Sequence, residues 1–184
     1  MTSIQRTQNA TGILCDAFVE DPVVRWLFPG PEQARRSSAA FVFAPLAEES
    51  AAAGELAVLD EGAAAVWLPV EAGGVSTPGP EVELPERLRV LVEALTRSHP
   101  TGEDHLYLAF LGVAQGKQGQ GLGSRLLAER LGRADAEGVP VYLEASSARN
   151  VPLYERHGFR LTGEVITLPD GPSIRPMWRN SKEN

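Results

Sequence analysis

The most continuous apolar stretch of the chain runs from His105 to Val113, HLYLAFLGV. A run that is apolar on both faces predicts a strand in the middle of a sheet, because both sides must be covered. Glycines recur downstream at positions 119, 121 and 123. The next segment places Gly123, Leu127, Leu131 and Ala134 on one side and Arg125, Glu129 and Arg133 on the other. That spacing predicts an amphipathic helix stopped by Gly138. Residues 139–146 read as another strand, and strand, helix, strand in this order predicts a right-handed parallel crossover. Gly112 inside the central strand predicts a bulge or a close backbone approach.

The rest of the chain is patterned around this unit. Residues 3–7 read as a short first strand, and Asn9 as the cap of a helix through Ile13, Leu14, Ala17 and Phe18. Asp21-Pro22 interrupts that helix and opens a dense apolar turn, Val23 to Phe28, closed by Pro29-Gly30-Pro31. The turn reads as a core corner; the functional alternative makes Asp21, Trp26 and Phe28 the lining of an acceptor pocket. A second helix spans residues 31–53, and strands at 55–60 and 63–68 form a hairpin about Glu61-Gly62. Residues 70–99 read as a loop-plus-helix insertion, with Leu88, Leu91, Val92 and Leu95 at helical spacing after Pro85. It is either a pocket wall or lid, or a plain surface excursion. A short helix at 148–156 precedes strands at 159–167 and 174–178. The expected fold class is α/β: one domain over residues 1–184 with a mixed central sheet and helices on both faces.

Composition narrows the chemistry. At 184 residues, 43% hydrophobic and 22% charged, the chain has the make-up of an ordinary globular domain, with no run apolar enough for a membrane helix and no signal pattern; a cytoplasmic location is the expectation. The net charge of −7 argues against nucleic acid. All of the excess acid lies early: residues 1–100 carry 7 Lys+Arg against 14 Asp+Glu, and the remainder 10 against 10. An acidic half beside a neutral one suits a cationic substrate, though solubility alone also favours acid. Cys15 reads as an inert thiol, and one cysteine and three histidines without ligand spacing predict no metal.

A strand feeding a glycine-rich turn at a helix start is a place for an anion, since first-turn N–H groups lack partners there. The dinucleotide pattern needs glycine where Ser124 stands, and the P-loop needs a Gly-Lys-Ser/Thr end that residues 116–123 lack. The motif present is Gln118-x-x-Gly121-x-Gly123, followed later by Asn150, Tyr154 and Gly158-Phe159. In these elements and this order the chain resembles the GCN5-related N-acetyltransferases (GNAT), and within them the puromycin N-acetyltransferase-like proteins.

The resemblance implies a strongly twisted sheet, acetyl-CoA as co-substrate and transfer of its acetyl group to an amine by direct attack. It implies cofactor contacts from Leu111, Val113, Gln118, Gly119, Gln120, Gly121, Leu122, Gly123, Ser124, Asn150 and Tyr154, with the Leu111 N–H polarising the thioester and Tyr154 protonating the departing thiolate. Glu144 is the first candidate for the base; a structural carboxylate tied to an arginine such as Arg149 is the alternative, with His99, His105, Glu20, Asp21 or a water relay behind it. The acceptor implied is a primary amine on a small molecule, such as an aminonucleoside or another antibiotic. A CoA-binding module without transfer and a protein N-acetylase are the alternatives, and monomer and homodimer are both open.

Overall fold

The computed structural model describes residues 2–75 and 83–182. Helix α1 (Ser3–Phe18) begins where a strand was expected. The Thr2 hydroxyl accepts from the Gln5 amide at 3.3 Å, and the Gln5 side chain accepts from the Thr2 amide at 2.9 Å. This reciprocal capping box satisfies two helix-start donors and draws residues 3–7 into the first turns. Then follow α2 (Pro22–Leu27), α3 (Glu32–Ala52), β1 (Ala57–Leu59), β2 (Ala63–Val70), α4 (Glu86–Ser98) and β3 (His105–Val113). The second half holds α5 (Leu122–Glu137), β4 (Val141–Ala145), α6 (Val151–Arg156), β5 (Arg160–Leu161), β6 (Ile166–Thr167) and β7 (Ser173–Arg179).

The strands form a mixed sheet ordered β1-β2-β3-β4-β7-β5, with β6 paired to β7. Among the described residues only β3 and β4 run parallel, joined by α5, as the crossover pattern requires. One face buries Leu106, Leu108, Val141 and Leu143 under Leu126, Leu127 and Leu131 of α5. The other buries Ala64 and Val66 under Leu14 of α1 and Phe43 and Ala47 of α3. The α/β class with helices on both faces is thus the observed one.

Of the insertion at 70–99, residues 76–82 lie outside the described residues. Its helix, α4, packs Leu91 and Ala94 against Val23 and Leu27 of α2 and Ile174 of β7.

The bulge and the glycine of β3 are separate features. The β2–β3 register steps from Val66↔Phe110 to Trp67↔Leu108, so Ala109 is the extra residue. At Gly112 the register is regular, opposite Ala64. There a Cβ would lie 2.9 Å from Leu14 Cδ2 and 3.0 Å from Ala17 Cβ, so glycine is needed for the close approach of α1. Gly112→Ala should force α1 off the sheet and lower stability by about 1–3 kcal/mol, the usual range for overpacking, read from the urea midpoint.

Candidate functional site

Residues 106–108 of β3 pair with residues 141–143 of β4, and there the parallel pairing ends. β3 keeps following β2 as far as Val113, while β4 follows β7 as far as Ala145. The two strands part, and a cleft of about 1130 Å³ opens beside them. Its lining comes from four places: Leu111, Gly112 and Val113 of β3; the loop and helix start from Gln115 to Ser124, apart from Gln120; Ser147, Arg149, Asn150, Leu153, Tyr154 and Arg156 at and around α6; and the α1–α2 turn from Ala17 to Pro22, apart from Val19.

The glycine loop is pinned at both ends. The Gln115 amide donates to Asp16 Oδ2 at 2.6 Å, and Gln118 Nε2 donates to the Val113 carbonyl at 3.3 Å. Burial pushes the Asp16 carboxyl up, but its bonds from Arg36 and the Gln115 amide outweigh this and hold it below the usual carboxylate range. Gly121, at φ 80°, takes the cap position of α5 in the left-handed region, where a side chain would be strained. No side chain caps this helix, so its first-turn N–H groups keep their capacity for an anion at the cleft wall. Lys117, Arg149 and Arg156 also line the cleft and add positive charge. The residues present therefore suit a phosphate-bearing cofactor.

Asp21 stands on another wall. Its Oδ1 accepts from the Val23 and Val24 amides at 2.8 and 3.3 Å, capping α2, and its Oδ2 accepts from Ser146 Oγ at 2.5 Å. Burial dominates over these bonds and raises its carboxyl above the ordinary value. The turn that carries it is clamped by the buried Arg35 of α3, which donates to the Val19 carbonyl at 2.6 Å, the Gly30 carbonyl at 2.9 Å and Glu20 Oε1 at 2.7 Å.

Tyr154, on α6, is buried against Phe159 with ring centroids 6.0 Å apart. Burial raises its phenol well above the ordinary value, and the negative charge of Asp21 adds to the shift. Asn150 precedes α6 without its side chain bonding to that helix, so the amide is available to the cleft.

The structure thus brings Asp21, Leu111, Val113, Gln118, Gly119, Gly121, Leu122, Gly123, Ser124, Asn150 and Tyr154 around one cleft. Four other expected site residues lie elsewhere. The Gln120 side chain turns back to the Gly116 carbonyl at 3.4 Å. Trp26 donates its indole N–H to the Pro169 carbonyl at 2.9 Å and packs, with Phe28 beside it, in the cluster between α2, α4 and β7. Trp26 is core, beside α4, and Phe28 is half-buried against the same cluster. Glu144 is 5% exposed at the side chain and faces His99, with no bond to Arg149. Sequence reading did not single out Lys117 or Arg156, or Arg149 as a cleft residue. A basic residue inside the glycine loop and one on each side of Tyr154 were the available signal. For Arg35 there was none, since its role depends on a fold-level contact.

Residues 94–178 match the family model described as an acetyltransferase (GNAT) domain. Over this stretch the chain is similar to GNAT acetyltransferase domains. Within it lie β3, the glycine loop, α5, Asn150 and Tyr154; the Asp21 wall lies outside the matched residues. An uncharacterised N-acetyltransferase of Schizosaccharomyces pombe is 41% identical over 73 residues, which cover 39% of this chain and 30% of that relative's length. The fold is shared with an acetyltransferase structure from Corynebacterium glutamicum, named as histone acetyltransferase HPA2 and related acetyltransferase, at a TM-score of 0.66 and 24% identity over 98% of this chain and 93% of that one. A Drosophila melanogaster polyamine N-acetyltransferase superposes at 0.61 with 19% identity, covering 98% of this chain and 97% of that one. Enzymes with this domain use acetyl-CoA as co-substrate. No helix among the described residues is long and apolar enough to cross a membrane.

A buried carboxylate whose proton is held more tightly in the folded than in the unfolded chain costs stability once pH rises through its raised value. Asp21→Asn keeps the acceptor for the α2 amides and removes that charge. It should therefore raise the thermal midpoint at pH 7, with the gain disappearing as pH falls below the unfolded value of about 3.9. Melting curves of both proteins across this range check it.

Proposed function

We propose that the chain transfers the acetyl group of acetyl-CoA to a primary amine of a small molecule by direct attack. One observation carries this reading: the uncapped start of α5, behind its glycine loop, opens into the same cleft as Tyr154 and the half-buried Asp21 carboxylate. Backbone N–H groups of residues 118–123 hold the pyrophosphate, with Lys117, Arg149 and Arg156 adding charge. Val113 pairs the pantetheine arm and Asn150 orients it. Leu111, past the last β3–β4 pair, offers its backbone N–H to the thioester oxygen as charge develops there. Tyr154, kept protonated at neutral pH by burial and by Asp21, gives its proton to the departing thiolate.

Asp21 supports an amine as the acceptor. The α1–α2 turn brings the carboxylates of Glu20 and Asp21 to the cleft, and their charge draws an ammonium group. An aminonucleoside or another antibiotic amine, as in the puromycin N-acetyltransferase-like proteins, is the first acceptor to test. Polyamines follow, since a polyamine enzyme shares the fold. The chain acts as one domain, in the cytoplasm.

Thiol release from acetyl-CoA over puromycin, other aminonucleosides, polyamines, aminoglycosides and a lysine peptide tests the reading. The expected result is release with a small amine; release with the lysine peptide alone would favour a protein N-acetylase. Silence throughout, with acetyl-CoA still raising the melting temperature, would leave a binding module without transfer. Tyr154→Phe should lower turnover by about 10²-fold or more, the low end for positioned proton transfer, with acetyl-CoA affinity retained. Unchanged turnover removes Tyr154 as the acid.

A further inference from the structure

The wall that the α1–α2 turn gives to the cleft is part charge and part hydrocarbon. Phe18 is the last residue of α1 and Asp21 caps α2; the Asp21 amide donates to the Phe18 carbonyl at 2.9 Å, so both stand on one tight turn. Both line the cleft, with Ala17 and Pro22 beside them. The Phe18 ring lies against the end of β3, where a Cβ on Gly112 would meet its Cε2 at 3.3 Å. Phe43 and Phe110 brace it, with ring centroids 5.4 and 6.1 Å away, and those two rings pack on each other at 4.8 Å. The ring is thus fixed in place yet only half-buried. Rigid apolar surface left open in a cleft is where an apolar ligand gains most.

Two carboxylates share this wall, and one of them is already occupied. Glu20 is bound by Arg35 at 2.7 Å and by Arg25 at 3.3 Å. Among the described residues Asp21 takes its bonds from neutral donors alone, the Val23 and Val24 amides on Oδ1 and the Ser146 hydroxyl on Oδ2. An ionised carboxylate offers about four lone-pair sites, so one remains for an N–H, on Oδ2. Burial outweighs the three bonds and raises the carboxyl above its ordinary value, as expected of a carboxylate still without a counter-charge. A second ammonium on the same ligand would find no free carboxylate among the described lining residues.

We propose that the acceptor is a primary amine of single positive charge with an aryl body. Its ammonium binds Asp21 Oδ2 and its ring packs on Phe18, which makes Phe18 the residue that selects the amine. The inference rests on the acetyl-transfer reading and narrows it to one kind of small amine, setting polyamines aside. Gly112 adjoins Leu111, whose N–H faces the thioester in that reading, so a ring seated on Phe18 rests at the same strand end. Ring pairs favour offset or edge contacts, and the braced Phe18 ring offers these without having to be ordered on binding.

Three amines separate the two contacts: 2-phenylethylamine has one charge and an aryl ring, ethylamine the charge alone, and spermidine several charges and no ring. In thiol release from acetyl-CoA, 2-phenylethylamine should exceed each of the others by about tenfold or more in kcat/KM, the low end for filling an apolar pocket. Spermidine as good or better overturns the proposal. Phe18→Ala should remove most of the advantage over ethylamine, with KM for acetyl-CoA unchanged. If that variant does not fold, Phe18→Leu decides, since it keeps the apolar volume and loses the ring face. A folded variant with wild-type amine selectivity overturns the proposal, even where it newly accepts propionyl-CoA, because Phe18 would then face the acyl group. Calorimetric binding of the three amines in the presence of CoA reads the same selectivity without transfer. Selective binding of 2-phenylethylamine with no thiol release counts against acetyl transfer and supports the amine class; equal binding of all three overturns it.

Discussion

The cleft exists because two neighbouring strands are each committed to a different partner. Parallel pairing holds β3 and β4 together for three residues; then β3 stays with β2 and β4 with β7. Neither can relax toward the other without giving up an antiparallel ladder, and α5 fills the crossover behind them with Leu126, Leu127 and Leu131. A strand end left without a neighbour normally finds one or is covered. Here the vacancy is kept open by the sheet itself, which places Leu111 and Val113 where an extended ligand can take the missing strand's place.

The walls of the cleft are held from behind by Arg35, Asp16 and Trp26, none of which lines it. Arg35 fastens the α1–α2 turn from behind through two backbone carbonyls and Glu20. Asp16 fastens the glycine loop to α1 through the Gln115 amide. The Trp26 indole ties α2 to the Pro169 carbonyl between β6 and β7. Because these anchors are made of buried or backbone-directed bonds, the polar groups of the site are preorganised before any ligand arrives.

Most of the fold was legible because its signals are local. The apolar run of β3, the stripe of α5 and the Gly138 stop each follow from spacing alone, and strand-helix-strand order leaves little choice of topology. Residues 3–7 misread because Thr2 and Gln5 cap each other at a distance of three residues, outranking the weak strand propensity of the stretch. Gly112 carried an ambiguous signal; the bulge fell at Ala109, where nothing in the composition marks it, and the glycine answers to α1 instead. The glycine loop, Asn150 and Tyr154 were readable as motifs. Trp26 and Phe28 fell in the core corner that the apolar turn predicts, against the acceptor-pocket alternative; Glu144 was not legible, since a carboxylate near the right strand end points to either side of a sheet, and only the packing of His99 shows which.

The contact at Gly112 also bears on how new acceptor preferences could arise. At Gly112 the strand brings no side chain of its own against Leu14, Ala17 and Phe18 of α1, so the Asp21 wall and the cleft end of β3 are tightly coupled. Selection for a different ligand cannot cheaply shift that wall, because the strand has no side chain at this seam to trim by degrees. Diversification is instead channelled into the side chains that line the opening, and a library built for altered selectivity would do best to spare position 112 and vary those.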